Sequence, residues 1–592
     1  MEVTRVFDLF DRYQSLVSDK PDALAGKVNG EWKKYSLKDF IRLSYELGAG
    51  LIEAGIKPGD RIGLISNNRP EWNITDFASQ FAGAVLVPVY PTISDHDLKF
   101  ICNDSELSML FISSADLKEK VLDSVAGLQN FKGVFSFENI DGIKNWSELI
   151  DSGKLNPHSA EIELNKKNAQ PDDLLTILYT SGTTGTPKGV MLTHGNLVSN
   201  FTSLCDLPPV DETCTALSFL PLNHSYERII VYIYMFRGVS IYYAESLETI
   251  GDNMREIKPH IFSCVPRLLE KVYDRIVNKG AELTGIKRKL FFWAISLGEQ
   301  YDNRPEKTSW LYKRKLGLAS KLIFSKWREA LGGNVRGAIS GGAALNPRLA
   351  RIFWAAGIPV LEGYGLTETS PVIAVNNFDP NSVRFGTVGP VIKGVQVKIA
   401  EDGEILCKGP NVMKGYYKRP DATAEVIDSE GWFHTGDIGI FEENRFLKIT
   451  DRKKEIFKTS GGKYIAPQAI ENKLKTSRFI EQSMVIGENQ KYAAALVVPA
   501  FTFIRDWAAR KNIKLPDENA ALIAMPEVRK RINEEIEIVN KELAQYETIK
   551  KIILLPAEWS VAGGELTPKL SLRRKIIMKQ NEAEIEKLYI ND

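Results

Sequence analysis

The chain has 592 residues, with 76 Lys plus Arg against 75 Asp plus Glu, a formal charge of +1 at neutral pH. Hydrophobic residues make up 44% and charged residues 26%, the mix of a globular protein with about three to five folding units of ~100–200 residues. That balance excludes a generally basic nucleic-acid binder, and five widely spaced cysteines without a CxxC exclude a disulfide framework or a cysteine zinc site.

The first twenty residues carry charges throughout and lack the apolar stretch of a secretory signal. The longest apolar runs, Ile229 to Phe236 and Phe81 to Tyr90, fall short of the roughly 18–20 residues that span a bilayer. A cytoplasmic location is expected, with peripheral attachment to the inner face of the membrane left open. Leu37 to Leu51 is amphipathic, Pro58-Gly59-Asp60 is a turn, and Arg61 to Ile65 reads as a buried strand. Asn73 to Ala82 is predicted helical and Ala84 to Val89 is a second strand. This βαβ rhythm predicts a parallel sheet with helices on its faces. It returns at 174–179, 215–222 and 258–265, and again at 335–365, where a strand around Ile339 leads to a helix from Pro347 to Ala356. From 383 to 451 short alternating strands with glycine turns predict a small β-barrel-like subdomain. After a junction at Asp451-Arg452 the texture changes again. A helix over 465–475, strands within 484–499 and a long charged helix near 526–546 predict an α+β domain. The fold class expected is α/β: a large N-terminal domain, 1–451, of parallel and mixed sheets layered with helices, then a small C-terminal domain, 452–592.

The most informative segment follows a predicted buried strand: Tyr179-Thr180-Ser181-Gly182-Thr183-Thr184-Gly185-Thr186-Pro187-Lys188-Gly189-Val190. Glycines allow close backbone approach to an anion, successive N–H groups and hydroxyls supply donors, and Lys188 supplies a point charge. A nucleotide P-loop would need Ser or Thr directly after the lysine to hold a metal, and here Gly189 follows Lys188. A ligand-free linker would rarely follow a buried strand with this density of donors.

The segment resembles the signature loop of the adenylate-forming superfamily, which includes acyl-CoA synthetases, peptide-synthetase adenylation domains and luciferases. Tyr364-Gly365-Leu366-Thr367-Glu368-Thr369 resembles the second nucleotide motif, Thr435-Gly436-Asp437-Ile438-Gly439 the ribose motif, and Asp451-Arg452-Lys453-Lys454-Glu455 the hinge. The resemblance runs from about residue 10 to about 585. It implies ATP, Mg²⁺ and coenzyme A as cofactor and cosubstrates, and a mobile C-terminal domain. Glu368 is then a hard oxygen ligand for Mg²⁺ with Thr180 as its companion, Asp437 is a ribose contact, and Arg452 is a ribose or phosphate contact. Gly341-Gly342-Ala343 would form one wall of an adenine slot and Tyr364 the other, with adenine-edge contacts at Glu362-Gly363. His224 falls beside the bound carboxylate. Lys454 is the hinge position, and Ser460-Gly461-Gly462 is the loop that faces the pantetheine tunnel. In Leu566-Thr567-Pro568-Lys569-Leu570-Ser571-Leu572-Arg573 the family's catalytic lysine aligns with Ser571; Lys569 or Arg573, on the same face of an extended segment, is the substitute, and Lys569 is the one expected.

Pro221-Leu222-Asn223-His224-Ser225-Tyr226-Glu227-Arg228 resembles the corresponding segment of long-chain fatty acyl-CoA synthetases, as does the additional stretch 271–336. That stretch holds 15 Lys or Arg against 6 Asp or Glu and interleaves aromatics. Two readings stand: a solvated helical hairpin with its aromatics inward, or contact with an anionic membrane. The expected partners are fatty acid and coenzyme A, with a homodimer compatible and no nucleic acid. The expected reaction is ATP-dependent fatty acid–CoA ligation. The alternatives are transfer to acyl carrier protein, another hydrophobic acid as substrate, or a catalytically impaired fatty-acid-binding protein.

Overall fold

The computed structural model describes residues 2–180, 186–246, 248–453, 455–560, 563–566 and 572–590. Contacts divide the chain into two units. The larger comprises Met1–Lys398, Leu406–His434 and Glu442–Leu447, and the smaller comprises Ile399–Ile405, Thr435–Phe441 and Lys448–Asp592.

The larger unit is built on two eight-stranded sheets. One runs through Val372–Val375, Val360–Gly365, Gly337–Ser340, Ile261–Cys264, Thr215–Ser218, Ser240–Tyr243, Leu24–Val28 and Glu31–Tyr35. The other runs through Gly415–Tyr416, Lys188–Thr193, Leu174–Thr180, Val85–Val89, Arg61–Ile65, Leu107–Ile112, Val134–Ser136 and Lys144–Asn145. Interior strands pair in parallel, as does the end pair Val134–Ser136 with Lys144–Asn145, while both ends of the first sheet and the Leu174–Thr180, Lys188–Thr193 and Gly415–Tyr416 end of the second are antiparallel. Apolar runs of Val, Ile and Leu buried on both faces account for the parallel interior. The helix Leu37–Glu53 starts where the Ser36 hydroxyl accepts the Asp39 N–H. It packs on Pro70–Phe81, whose Phe77 ring stacks on Phe10 at 4.2 Å. That helix starts three residues before the sequence expectation, because Pro70 fits the first helical position. The strand expected at 215–222 ends at Ser218 and gives way to the turn that carries His224.

The smaller unit holds a three-stranded sheet of Ile480–Ile486, Ala494–Pro499 and Lys551–Leu554, covered by Pro467–Leu474 and Pro526–Asn540. The last helix stops six residues before the expected end. There the Asn540 amide donates to the Ile549 carbonyl and accepts the Ile549 N–H, folding the chain back. A five-stranded sheet of Gly389–Pro390, Phe446–Arg452, Phe433–Glu442, Glu404–Lys408 and Gln396–Ile399 matches the β-rich texture after 383, and its residues are divided between the two units.

The stretch 271–336 is helical: Pro266–Glu282, Gly285–Glu299, Trp310–Ala319, a π turn at Ser320–Phe324, and Ser325–Ala330. Phe291, Phe324 and Trp327 are buried in it, whereas Trp310 stands in solvent.

Candidate active site

Thr180 ends one strand and pairs across the antiparallel ladder with Lys188, which opens the next. The connecting Ser181, Gly182, Thr183, Thr184 and Gly185 lie outside the described residues. The strand Gly415–Tyr416 adds to the same edge, placing Tyr416 opposite Val190. Lys188 Nζ sits 5.1 Å from the centre of the Tyr416 ring. The Tyr416 hydroxyl donates to Glu368 Oε1 at 2.9 Å, and the Glu368 carbonyl accepts the Met413 N–H at 2.8 Å. Burial, helped by the Glu368 charge, pushes the Tyr416 phenol well above its ordinary range, so it stays a donor. A cation, a phenol and a carboxylate therefore converge beside Thr180. Sequence reasoning does not find Tyr416. Its surroundings, Gly415-Tyr416-Tyr417, read as an ordinary strand.

The strand Val360–Gly365 turns through Thr367–Thr369 and returns as Val372–Val375. A Cβ on Gly365 would lie 1.8 Å from the Pro371 carbonyl oxygen, so only glycine fits this crossing. The Asn411 amide donates to the carbonyls of Thr369 and Val372 at 3.1 and 3.3 Å, and Asn200 donates to Val372 at 2.8 Å. These two buried amides hold the turn that presents Glu368, with Thr367 buried beside it. Neither amide is legible in the motif itself.

Glu362 is buried, and its Oε1 accepts the Leu345 N–H at 2.8 Å. Its carboxyl thus braces the Gly341-Gly342-Ala343 loop from the strand side, and burial pushes its pKa up to about 8. A Cβ on Gly341 would lie 3.1 Å from the Tyr226 ring, whose hydroxyl donates to the Ile339 carbonyl at 3.0 Å. The glycine pair thus passes tightly over Tyr226, while Gly363 and the half-buried Tyr364 follow on the neighbouring strand.

His224 precedes the helix Ser225–Phe236 and caps it, its Nδ1 accepting the Tyr226 N–H at 3.0 Å. Asn223 fixes the turn by accepting from Trp72 Nε1 at 2.8 Å and donating to the Ser66 carbonyl. Behind His224, the buried Glu227 accepts from the hydroxyls of Ser218 and Ser263, and burial raises its pKa to about 7. Arg228 is fully buried and pairs with Asp76 at 2.6 Å, Tyr232 at 2.8 Å and the Thr176 hydroxyl at 2.9 Å. That network ties the His224 helix to the strand that runs into Thr180.

In the smaller unit, Arg452 Nε lies 3.5 Å from Asp437 Oδ1. Gly436, at φ +73°, donates its N–H to Glu404 at 2.9 Å, and Lys453 pairs with Glu404 and Asp402 at 2.8 and 2.6 Å. Asp437 is buried, and its N–H bonds to the Thr435 hydroxyl. The two expected nucleotide contacts are thus neighbours. Burial raises the Asp451 carboxyl to about 6, although one oxygen accepts the Arg452 N–H at 2.6 Å. Ser460, Gly461 and Gly462 form an exposed turn between Phe457–Lys458 and Tyr464–Ile465. Lys454, Lys569 and Ser571 lie outside the described residues.

Two family models match the chain: the AMP-binding enzyme over residues 14–417, and the AMP-binding enzyme C-terminal domain over 454–592. A long-chain-fatty-acid–CoA ligase of Mycobacterium bovis is 32% identical over 578 residues, covering 96% of this chain and 95% of that protein. Long-chain-fatty-acid–CoA ligase 5 of Rattus norvegicus is 34% identical, covering 99% of this chain and 88% of its own. The adenylation domain of a carboxylate reductase from Mycobacterium chelonae superposes with a TM-score of 0.74 at 22% identity, covering 99% of this chain and 91% of that one.

Proposed function

The chain belongs to the AMP-binding enzyme family, and on that premise we propose that it is an ATP-dependent long-chain fatty acid–CoA ligase. A fatty carboxylate attacks the α-phosphorus of ATP, and the bond to pyrophosphate breaks. The thiolate of coenzyme A then attacks the acyl carbon of the adenylate, the acyl–oxygen bond breaks, and AMP leaves. The observation that carries the reading is the convergence of Lys188, Tyr416 and Glu368 beside Thr180.

The first step brings two anions together, so fixed positive charge and donors must offset their repulsion. Lys188 supplies such a charge at the loop. Glu368 is fixed by Tyr416 through one oxygen, and a carboxylate has about four lone-pair sites. With the Thr180 hydroxyl it would supply an oxygen-only donor set of the kind a hard cation takes. Mg²⁺, when bound there, neutralises phosphate charge. His224, oriented by its Nδ1 contact with the Tyr226 N–H, is the residue assigned to the substrate carboxylate in this reading. Asp437 and Arg452 take the ribose, and Gly341 to Ala343 with Tyr364 take the adenine. Lys569 completes the adenylation site and Ser460 to Gly462 serve thioester formation. The C-terminal domain, 452–592, turns about Lys454 between the two steps. Long-chain preference is supported by the two relatives, both long-chain ligases. Among the described residues no helix is long and apolar enough to cross a membrane, and membrane contact through 271–336 is peripheral in this reading.

The test is ATP–pyrophosphate exchange across carboxylates from acetate to oleate, followed by AMP release with and without coenzyme A. Oleate-dependent exchange with AMP release stimulated by coenzyme A is expected. Exchange without that stimulation would move the acceptor to a carrier protein. Absence of exchange would overturn the assignment.

A further inference from the structure

We propose that the helix running from Trp310 through Ala330 is a docking surface for a bilayer rich in anionic lipid. The proposal deepens the fatty-acid reading by naming where the enzyme meets its substrate's reservoir. It stands on three observations within the larger unit.

The first is apolar exposure. Trp310 and Leu311 are 63% exposed, Leu318 51% and Leu322 42%, and Ile286 at the head of the preceding helix is 76% exposed. Positions 310, 314, 318 and 322 succeed one another at four-residue spacing, so Trp310, Leu318 and Leu322 lie along one side of the helix, with Leu311 adjoining. The opposite side is spoken for. Ala319, Phe324 and Trp327 are buried, and the Tyr312 hydroxyl donates to the Leu297 carbonyl at 2.8 Å. The helix is therefore already anchored by its inner face, while the outer apolar residues leave much of their surface in solvent.

The second is charge. From Lys307 to Arg328 there are seven Lys or Arg and no Asp or Glu. Lys313, Arg314, Lys315 and Lys321 are exposed among the apolar residues, and Arg314 lies over the Trp310 ring at 4.3 Å. At the neighbouring helix head, Lys287, Arg288 and Lys289 are exposed beside Ile286. The third is the contrast with the rest of the chain. Its formal charge of +1 leaves a surplus of acid elsewhere, so the basic, apolar surface is local.

An apolar stripe flanked by seven Lys or Arg, with no Asp or Glu between Lys307 and Arg328, selects among occupants. A second copy of this chain would bring the same cations against themselves. A soluble acidic protein would not need an exposed Trp and two Leu aligned along a helix with a third Leu adjoining. An anionic bilayer answers both halves: acyl chains take Trp310, Leu311, Leu318 and Leu322, and phosphates take the Lys and Arg side chains, with Trp at the headgroup level.

The test uses the full-length protein with vesicles of phosphatidylcholine alone or with phosphatidylglycerol, without ATP, coenzyme A or fatty acid. Its outcome is thus separable from that of the ligase assay. Co-sedimentation is expected only with phosphatidylglycerol and should fall at high salt. Trp310→Ser/Leu311→Ser/Leu318→Ser and Lys313→Glu/Arg314→Glu/Lys315→Glu should each lower binding by about tenfold or more. Both variants should keep wild-type activity on a water-soluble medium-chain acid, which reports that they fold. Equal binding to neutral vesicles, unchanged binding of either folded variant, or no binding by the wild type would overturn the proposal. So would light scattering that shows a dimer dispersed by the serine substitutions while vesicle binding persists. Should either triple variant fail to fold, single Leu311→Ser and Lys315→Glu proteins carry the comparison, with a graded loss expected and no loss contradicting it.

Discussion

Glu368 owes its usefulness to its neighbours. Tyr416 holds one of its oxygens at 2.9 Å, and the main chain of Met413 holds its backbone. Glu368→Gln keeps the shape and removes the charge that the proposed Mg²⁺ site would use. We expect ATP–pyrophosphate exchange to fall roughly 10²–10³-fold, the scale on which removing a group that organises transition-state charge acts. Tyr416→Phe leaves the charge but frees the carboxylate, and should lower kcat by about tenfold with thermal stability near wild type. If Tyr416→Phe exchanges pyrophosphate as fast as wild type, the tyrosine does not position Glu368. Glu362 yields a pH prediction. Its carboxyl is buried, and its pKa rises from an ordinary 4.5 to about 8. The unfolded chain releases that proton first, so the stability it contributes is full below the ordinary value. That stability is lost progressively as pH climbs toward about 8. Glu362→Gln accepts the same Leu345 N–H without ionising. The wild-type KM for ATP should rise as pH passes through about 8 while that of Glu362→Gln stays flat, and parallel profiles would exclude the bracing role.

At the scale of elements, the site is a set of strand ends and turns, and their fixity is a matter of packing. Gly365 crosses the Pro371 carbonyl so closely that Gly365→Ala must push two strands apart. We expect a loss of about 1–3 kcal/mol, read as a lower midpoint in urea unfolding, together with weaker nucleotide binding. The buried Arg228–Asp76 pair joins the His224 helix to the helix Pro70–Phe81. Arg228→Met strands the Asp76 charge and should cost about 3–5 kcal/mol, while the double change Arg228→Met/Asp76→Leu should recover much of it. Additive losses would mean that the two residues act independently. The same elements show what a sequence discloses. Arg61 to Ile65, Leu174 to Thr180 and the helix from Pro347 were legible because apolar runs of strand length or helical period sit between Gly, Pro and Asp punctuation. Thr180, Lys188 and Glu368 stand out as candidates in contiguous motifs, and the structure brings them to one strand edge. Tyr416, Asn200 and Asn411 were not legible. Each acts by reaching a partner far away in sequence, and nothing local distinguishes a strand tyrosine or a buried amide from thousands of ordinary ones. Likewise, the bracing contact of the buried Glu362 side chain with the Leu345 N–H is not legible in its motif.

For the whole molecule, the two units carry different parts of the expected chemistry. Lys188, Glu368 and His224 belong to the larger, whereas Asp437, Arg452 and Ser460 to Gly462 belong to the smaller. If the C-terminal domain turns about Lys454 between the two steps, Lys454→Pro should spare one half-reaction and abolish the other. Single-turnover assays of adenylate formation and of thioester formation from added oleoyl-adenylate separate them, and equal loss of both would contradict a hinge. The near-neutral total charge likewise resolves into parts: a basic, apolar helix surface after Trp310 against a body with an acidic surplus. The central claim is that the carboxylate is activated as an acyl-adenylate before it reaches sulfur. Its most direct test follows oxygen. With oleate labelled by ¹⁸O in both carboxylate positions, ATP and coenzyme A, mass spectrometry of the products should find one heavy oxygen in AMP and one in oleoyl-CoA. Unlabelled AMP, or ADP and phosphate in place of AMP and pyrophosphate, would contradict the account.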